Sequence, residues 1–175
     1  MAGFQTKTFA KFDDYMTPKS AWDNIKHIIP QDKVIWEPFY GDGTSGNHLK
    51  ELGFNVIHDD LDFFINNLGE IVVSNPPFTK IPEILKRLIE INKPFILIMP
   101  TSKINTQYFR KLFSKQNLCF QGAFSPIQLI IPRKRIQFLK QVDGVVDPDQ
   151  KSQCNFDCFY YCWRMGLERD IIWLE

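Results

Sequence analysis

Four apolar runs in this chain alternate with helix-like segments, and three of them end in polar clusters. The runs are "KVIWEPF" (33–39), "FNVIHDD" (54–60), "EIVVSN" (70–75) and "FILIMP" (95–100). A strand that is apolar at nearly every position has both faces covered. Such strands alternating with helices build a parallel sheet sandwiched by helices. The spacing predicts a helix over "TPKSAWDNIKHII" (17–29): Thr17 suits an N-cap, Pro18 suits the first helical position, and Ala21, Trp22, Ile25, Ile28 and Ile29 recur on one face. "SGNHLKELG" (45–53) reads as a short helix stopped by Gly53, and "IPEILKRLIEIN" (81–92) and "NTQYFRKLFSK" (105–115) as amphipathic helices. "IQLIIP" (127–132) and "FDCFYYCW" (156–163) read as late strands, and the polar, turn-rich "QVDGVVDPDQKS" (141–152) as a loop. With 175 residues, this is expected to be one α/β domain spanning 1–175.

Ligands of a doubly wound sheet lie beyond the carboxyl ends of its strands. Three of the runs end there in residues suited to a site. "EPFYGDGTSG" (37–46) places glycines where a chain turns tightly and where a ligand approaches the backbone. No Lys-Ser/Thr follows, so a phosphate-cradling P-loop is not expected, and Glu37 suits a cationic group or a hydroxyl. "HDDLDFF" (58–64) ends a strand in acids placed for ribose hydroxyls, with Asp62 and Phe63 close enough to read and cover a purine ring. In "SNPPF" (74–78) two prolines fix φ and remove two N–H donors. The Asn75 oxygen and nearby carbonyls are left as a rigid array of acceptors, which suits an amino group on a planar ring, with Phe78 as a face for stacking.

Charge is unevenly placed. Residues 1–62 carry 6 basic and 10 acidic side chains (−4), residues 63–140 carry 12 and 3 (+9), and residues 141–175 carry 3 and 7 (−4). A basic middle is the footprint of a polyanion partner or a pair of solvated helices. The apolar runs are too short to span a bilayer, and "MAGFQTKTFAKFDD" lacks the apolar core of a signal peptide. Four cysteines, three of them late, do not make a secreted disulfide framework, so an intracellular, reducing compartment is expected. Cys154, Cys158 and Cys162 recur every fourth residue. On a strand, Cys158 and Cys162 share one face as small core residues, and no metal site is expected. His27, His48 and His58 have no ligand spacing and are expected on surfaces or helices. The tail "ERDIIWLE" (168–175) either closes the core or meets a partner.

With "DDYMTPKSAW" (13–22), "EPFYGDG" (37–43), "DDLDFF" (59–64), "SNPPF" (74–78) and "IPRKRIQF" (131–138) in that order, the chain resembles the class I S-adenosylmethionine-dependent methyltransferases. Among these it looks most like the adenine-N6 DNA methyltransferases of the Dam-like and phage type, over roughly residues 13–164. The resemblance implies a Rossmann-like fold: a mostly parallel sheet with an antiparallel last strand and helices on both faces. It implies S-adenosyl-L-methionine as cofactor and methyl transfer to an exocyclic amine. Tyr15, Thr17 and Pro18 would enclose the methionine end of the cofactor, and Glu37, Pro38, Gly41 and Gly43 would form its loop. Asp59 or Asp60 would take the ribose, Asp62 the adenine amine, and Phe63 would pack on that ring. Asn75, Pro76, Pro77 and Phe78 would hold the target base. The acidic motifs are compressed into 59–63, so one strand should be very short. No segment is long enough for a separate target-recognition domain. Lys80, Lys103, Arg133, Lys134 and Arg135, with the 141–152 loop, are the candidates for nucleic-acid contact, mainly to phosphates. The acceptor class stays open between DNA adenine, adenine N6 or guanine N2 in RNA, and a protein glutamine. A non-catalytic nucleic-acid-binding subunit, a homodimer or a partner subunit also fit. The compact motif set points to a phage or viral genome.

Overall fold

A computed structural model describes residues 15–113, 126–142, 145–146 and 156–175. In chain order the elements are β1 (Tyr15–Met16), α1 (Lys19–Asp23), β2 (Ile35–Trp36), α2 (Thr44–Glu51), β3 (Val56–Ile57), β4 (Ile71–Ser74), α3 (Ile81–Glu90), β5 (Phe95–Pro100), α4 (Gln107–Phe113), β6 (Ile127–Ile131), β7 (Leu139–Val142), β8 (Val145–Val146), β9 (Cys158–Trp163) and β10 (Ile171–Trp173). The main sheet among the described residues runs β10-β6-β9-β5-β4-β2-β3. Every pairing is parallel except those of β9, which lies antiparallel between β5 and β6. The fold is α/β and Rossmann-like.

Alternate residues of the buried strands feed two cores. Val73, Ile96 and Ile98 pack with Ala21, Trp22 and Leu49 on the α1/α2 face. Val72, Phe95 and Leu97 pack with Ile81, Ile84, Leu85 and Leu88 of α3 and Phe109 of α4 on the other. Both faces are therefore covered, as continuous apolar strands require. From β2 the chain passes to β3 on one side and then to β4 on the other. That reversal opens a crevice at the carboxyl ends of β2 and β4.

Several expectations are corrected. The helix expected over 17–29 is α-helical only at 19–23 and continues as turns, such as Ile28 N–H to the Ile25 carbonyl at 2.8 Å. Asp23 and Asn24, weak helix formers that compete for backbone bonds, sit where it stops. Pro18 occupies the cap position, and no side chain, Thr17 included, caps the helix. The apolar stripe is still buried. The antiparallel strand is not the last one: the tail supplies β10, parallel to β6 at the sheet edge. Part of the segment expected as a loop is a hairpin, β7–β8, which pairs with β1 in a separate small sheet. Its remaining residues, 143–144 and 147–152, and the end of the 105–115 helix lie outside the described residues, as does Cys154. Cys158 and Cys162 are buried in one core, and burial pushes the Cys162 thiol well up. Among the described residues, no helix is long and apolar enough to cross a membrane.

Candidate active site

After β2, Glu37 and Pro38 lead into a turn closed by Gly43 N–H to the Tyr40 carbonyl at 2.8 Å. Gly41 (φ 56°) and Gly43 (φ 86°) hold left-handed backbone, which glycine adopts without a Cβ penalty. Asp42 Oδ1 then accepts from the Thr44 N–H at 3.0 Å and the Thr44 hydroxyl at 2.6 Å. The start of α2 thus already faces a carboxylate, which speaks against a phosphate cradle there.

After β4 the chain passes Asn75, Pro76 and Pro77, then one tight turn (Phe78–Lys80) into α3. Both prolines are buried, and neither has an N–H to satisfy. The Asn75 Nδ2 donates to the Tyr15 carbonyl at 3.4 Å. Its Oδ1 is buried and has no partner among the described residues. A buried amide oxygen without a donor is costly to a fold, and native proteins keep such groups for a reason.

Segments 15–17, 39–45 and 75–78 line one hollow at the switch point. The structure therefore brings Tyr15, Thr17, Gly41, Asn75, Pro76, Pro77 and Phe78 together from three parts of the chain. Met16, Asp42, Thr44 and Ser45 join them without having been singled out by motif. A second cleft, lined by Phe78, Pro82, Lys103, Tyr108 and Phe156 among others, shares Phe78 with the hollow. The Phe78 ring borders both spaces. It is fixed edge-on against Phe156 (5.4 Å between centroids) and Phe138 (6.5 Å).

Beneath the hollow, three strand ends meet on one carboxylate. Glu37 is fully buried. The Ser74 hydroxyl, at the end of β4, donates to Glu37 Oε1. His58, just past β3, places Nδ1 2.7 Å from Glu37 Oε2 and 3.0 Å from the Glu37 carbonyl. Two acceptors face that nitrogen, so it carries the proton. Burial pulls the His58 pKa down, but the Glu37 hydrogen bonds and charge outweigh it and leave the pKa raised above its usual 6.5. The imidazole also stacks on Tyr40 of the glycine loop at 4.7 Å and 13°. His58 is therefore a buried support of this loop, which corrects its expected place on a surface or helix. Parallel pairing of Trp36 with Ile57 brings the following residues, Glu37 and His58, side by side. That register is the signal the isolated histidine lacked.

Other motif residues fall elsewhere. Glu37 does not line the hollow; it is held inside by Ser74 and His58. Phe63 is fully buried, stacked on Trp36 at 5.5 Å and tilted against Phe39 at 5.1 Å. Its ring is part of the core, where the resemblance implied packing on a cofactor ring. Asp59, Asp60 and Asp62 are not part of the hollow's lining. Asp62 Oδ1 accepts from the Phe64 N–H at 2.8 Å and shapes the turn. Pro18 and Pro38 flank the hollow without lining it. Of the basic candidates, Lys103 lines the second cleft, Lys80 is exposed beside it in sequence, and Arg133 and Lys134 lie at the other edge of the sheet. Arg135 is paired with Asp157 at 2.6 Å. No cluster of three potential metal ligands occurs among the described residues.

No family model matches the chain, and no curated protein matches it. A solved structure from Listeria monocytogenes, assigned provisionally to the class I S-adenosylmethionine-dependent methyltransferases, is 14% identical with a TM-score of 0.49, over 95% of this chain and 67% of that one. A likeness of that size carries no functional argument.

Proposed function

We propose that this chain is an S-adenosylmethionine-dependent methyltransferase acting on the exocyclic N6 amine of adenine in DNA. The observation that carries the reading is the partnerless Asn75 oxygen, held by a double proline on the wall of a hollow at the sheet's switch point. The residues lining the hollow fit the methionine end of the cofactor. Gly41 leaves room at the hollow, where a Cβ would meet nothing nearer than 3.9 Å. Asp42 offers a carboxylate to a cation, and Thr17, Thr44 and Ser45 offer hydroxyls. Bound there, S-adenosylmethionine would supply an electrophilic methyl group on a sulfonium sulfur.

The chain's own residues do the rest by position and preset polarity. Asn75 Oδ1 and the Pro76 carbonyl accept the two N–H bonds of a flat amine and aim its lone pair into the hollow. Phe78 offers its ring to the acceptor base, with Phe156 as a second wall. Lys103, which lines that cleft, and Lys80 would hold a phosphate of the acceptor, which fixes position and not sequence. A base in duplex DNA would have to be flipped out, at a cost of a few kcal/mol.

One observation favours a second reading. Asp59, Asp60 and Phe63 lie outside the hollow, so the nucleoside half of a cofactor has few of its expected partners. A non-catalytic nucleic-acid-binding subunit fits that arrangement. Transfer of a labelled methyl group from S-adenosylmethionine to matched single- and double-stranded DNA and RNA, with Asn75→Ala as control, separates the two. N6-methyladenine in DNA that vanishes in the control supports the enzyme. Absence of cofactor binding at any accessible concentration supports the subunit.

A further inference from the structure

The basic segment after β6 and the tail meet at the other edge of the sheet, away from the hollow. Arg133 and Lys134 follow β6, and Trp173 ends β10 beside them. With Asn24, His27 and Leu174 they line one groove.

No carboxylate pairs with Arg133 or Lys134 among the described residues, whereas Arg135, Lys19, Lys33 and Lys86 each have one at 2.6, 2.7, 2.9 and 3.8 Å. Glu175 is the acid in this groove, against two cations and an imidazole. Trp173 is 72% exposed, while Trp22, Trp36 and Trp163 are buried. A bare indole flanked by uncompensated cations is the pairing that single-stranded nucleic acid uses, bases on the ring and phosphates on the charges.

The topology relates this groove to the hollow. β6 and β10 run in the same direction as β4, so their carboxyl ends open on the same rim. From β4 to β10 is four strand steps, or ~19 Å at ~4.8 Å per step.

We propose that the groove binds a single nucleic-acid strand several nucleotides away from the base held at Asn75. Trp173 stacks on an unpaired base, and Arg133 and Lys134 hold the adjoining phosphates. The choice of ligand class rests on the proposed nucleic-acid function of the Asn75 site. A second copy of the chain is the rival occupant, but a two-fold contact would set this patch against itself, cation against cation.

The test is anisotropy of labelled single-stranded DNA of about four and about twelve nucleotides without cofactor, against wild type, Trp173→Ala and the double variant Arg133→Gln/Lys134→Gln. Trp173 and both cations are exposed, so the fold should survive, and circular dichroism checks it. Trp173→Ala should bind the long strand about tenfold more weakly, the scale of one lost stacking platform, and Arg133→Gln/Lys134→Gln should weaken it with a flatter salt dependence. Acrylamide quenching of wild-type tryptophan fluorescence should fall when the long strand binds. Equal binding of the long strand by wild type and Trp173→Ala overturns the proposal, as does absence of binding by wild type. A wild-type dimer in sedimentation that Trp173→Ala dissociates makes the groove a self-interface and also overturns it. Length-dependent binding without methyl transfer to any substrate leaves the groove standing and removes the enzyme.

Discussion

Gly46 and His58 share space that no side chain at position 46 could enter. A Cβ on Gly46 would lie 2.7 Å from His58 Cβ and closer still to the ring. The first turn of α2 therefore rests directly on the imidazole that supports the glycine loop. Gly46→Ala should destabilise the protein by about 1–3 kcal/mol through overpacking. In a His58→Ala background the same change should cost less, because the ring contacts are gone and only the 2.7 Å contact between the two Cβ atoms is left to relax. Urea unfolding of the four proteins measures this, and additive costs would mean the two residues do not meet.

The Glu37–His58 pair gives stability a pH dependence of known sign. Burial opposes the imidazolium, but Glu37 prevails and the folded pKa is raised. The proton is held more tightly in the folded state. The stabilisation is complete below the ordinary imidazole value and fades as the pH rises through the higher folded one. The stability difference between wild type and His58→Gln should therefore shrink between about pH 6 and pH 8. A gap that is constant or widening across that range would sink the assignment.

Asn75→Ala should keep cofactor affinity and lose methyl transfer about 100-fold or more, the scale of one missing preorganised polar contact. Asn75→Asp retains an acceptor oxygen and should fall less. Calorimetry with S-adenosylmethionine and single-turnover rates check both. Full transfer by the alanine variant would remove Asn75 from the chemistry.

Phe63 separates core from cofactor. Phe63→Ala should cost about 3–5 kcal/mol, as for any large buried aromatic. Phe63→Leu should keep the fold and leave cofactor affinity unchanged, because the ring is buried and stacked on Trp36. A clear loss of affinity in a folded Phe63→Leu protein would return the residue to the site.

Arg135 differs from its two basic neighbours. Its bond to Asp157 joins partly exposed groups, so Arg135→Gln should cost under about 1 kcal/mol. The salt dependence of nucleic-acid binding should also barely change, whereas Arg133→Gln/Lys134→Gln should flatten it. A flattened slope with Arg135→Gln alone would place the phosphates on the wrong side of the segment.

Local patterns carried most of the architecture. The apolar run at 95–100 is β5 to the residue, and the periodic stripe at 81–92 is α3 with Asn92 (φ 55°) just past its end. The glycine turn and the double proline both reached the hollow, because backbone chemistry of that kind acts within a few residues. Long-range partners were less readable. His58 needed the register of two strands, and Phe63 needed the positions of Trp36 and Phe39. Lys93, buried with Nζ on the Leu68 and Gly69 carbonyls at 3.2 and 2.7 Å, has nothing beside it in sequence to announce a buried lysine. β10 is short and preceded by charged residues, so it acquires strand character only from the waiting edge of β6.

The late entry of β9 bears on how the protein is made. β5 is buried along its whole length and pairs with β9 through six successive residues, Phe95 with Trp163 to Pro100 with Cys158. During synthesis at ~5–20 residues per second, β5 leaves the ribosome roughly 3 to 12 seconds before its neighbour. Throughout that interval the nascent chain carries a naked apolar edge, and β6 has no strand through which to join the sheet. Chains stalled between residues 135 and 157 should be captured by chaperones and cut readily by protease, and release of residue 163 should end both. Protection already complete at residue 135 would show that β5 finds another cover.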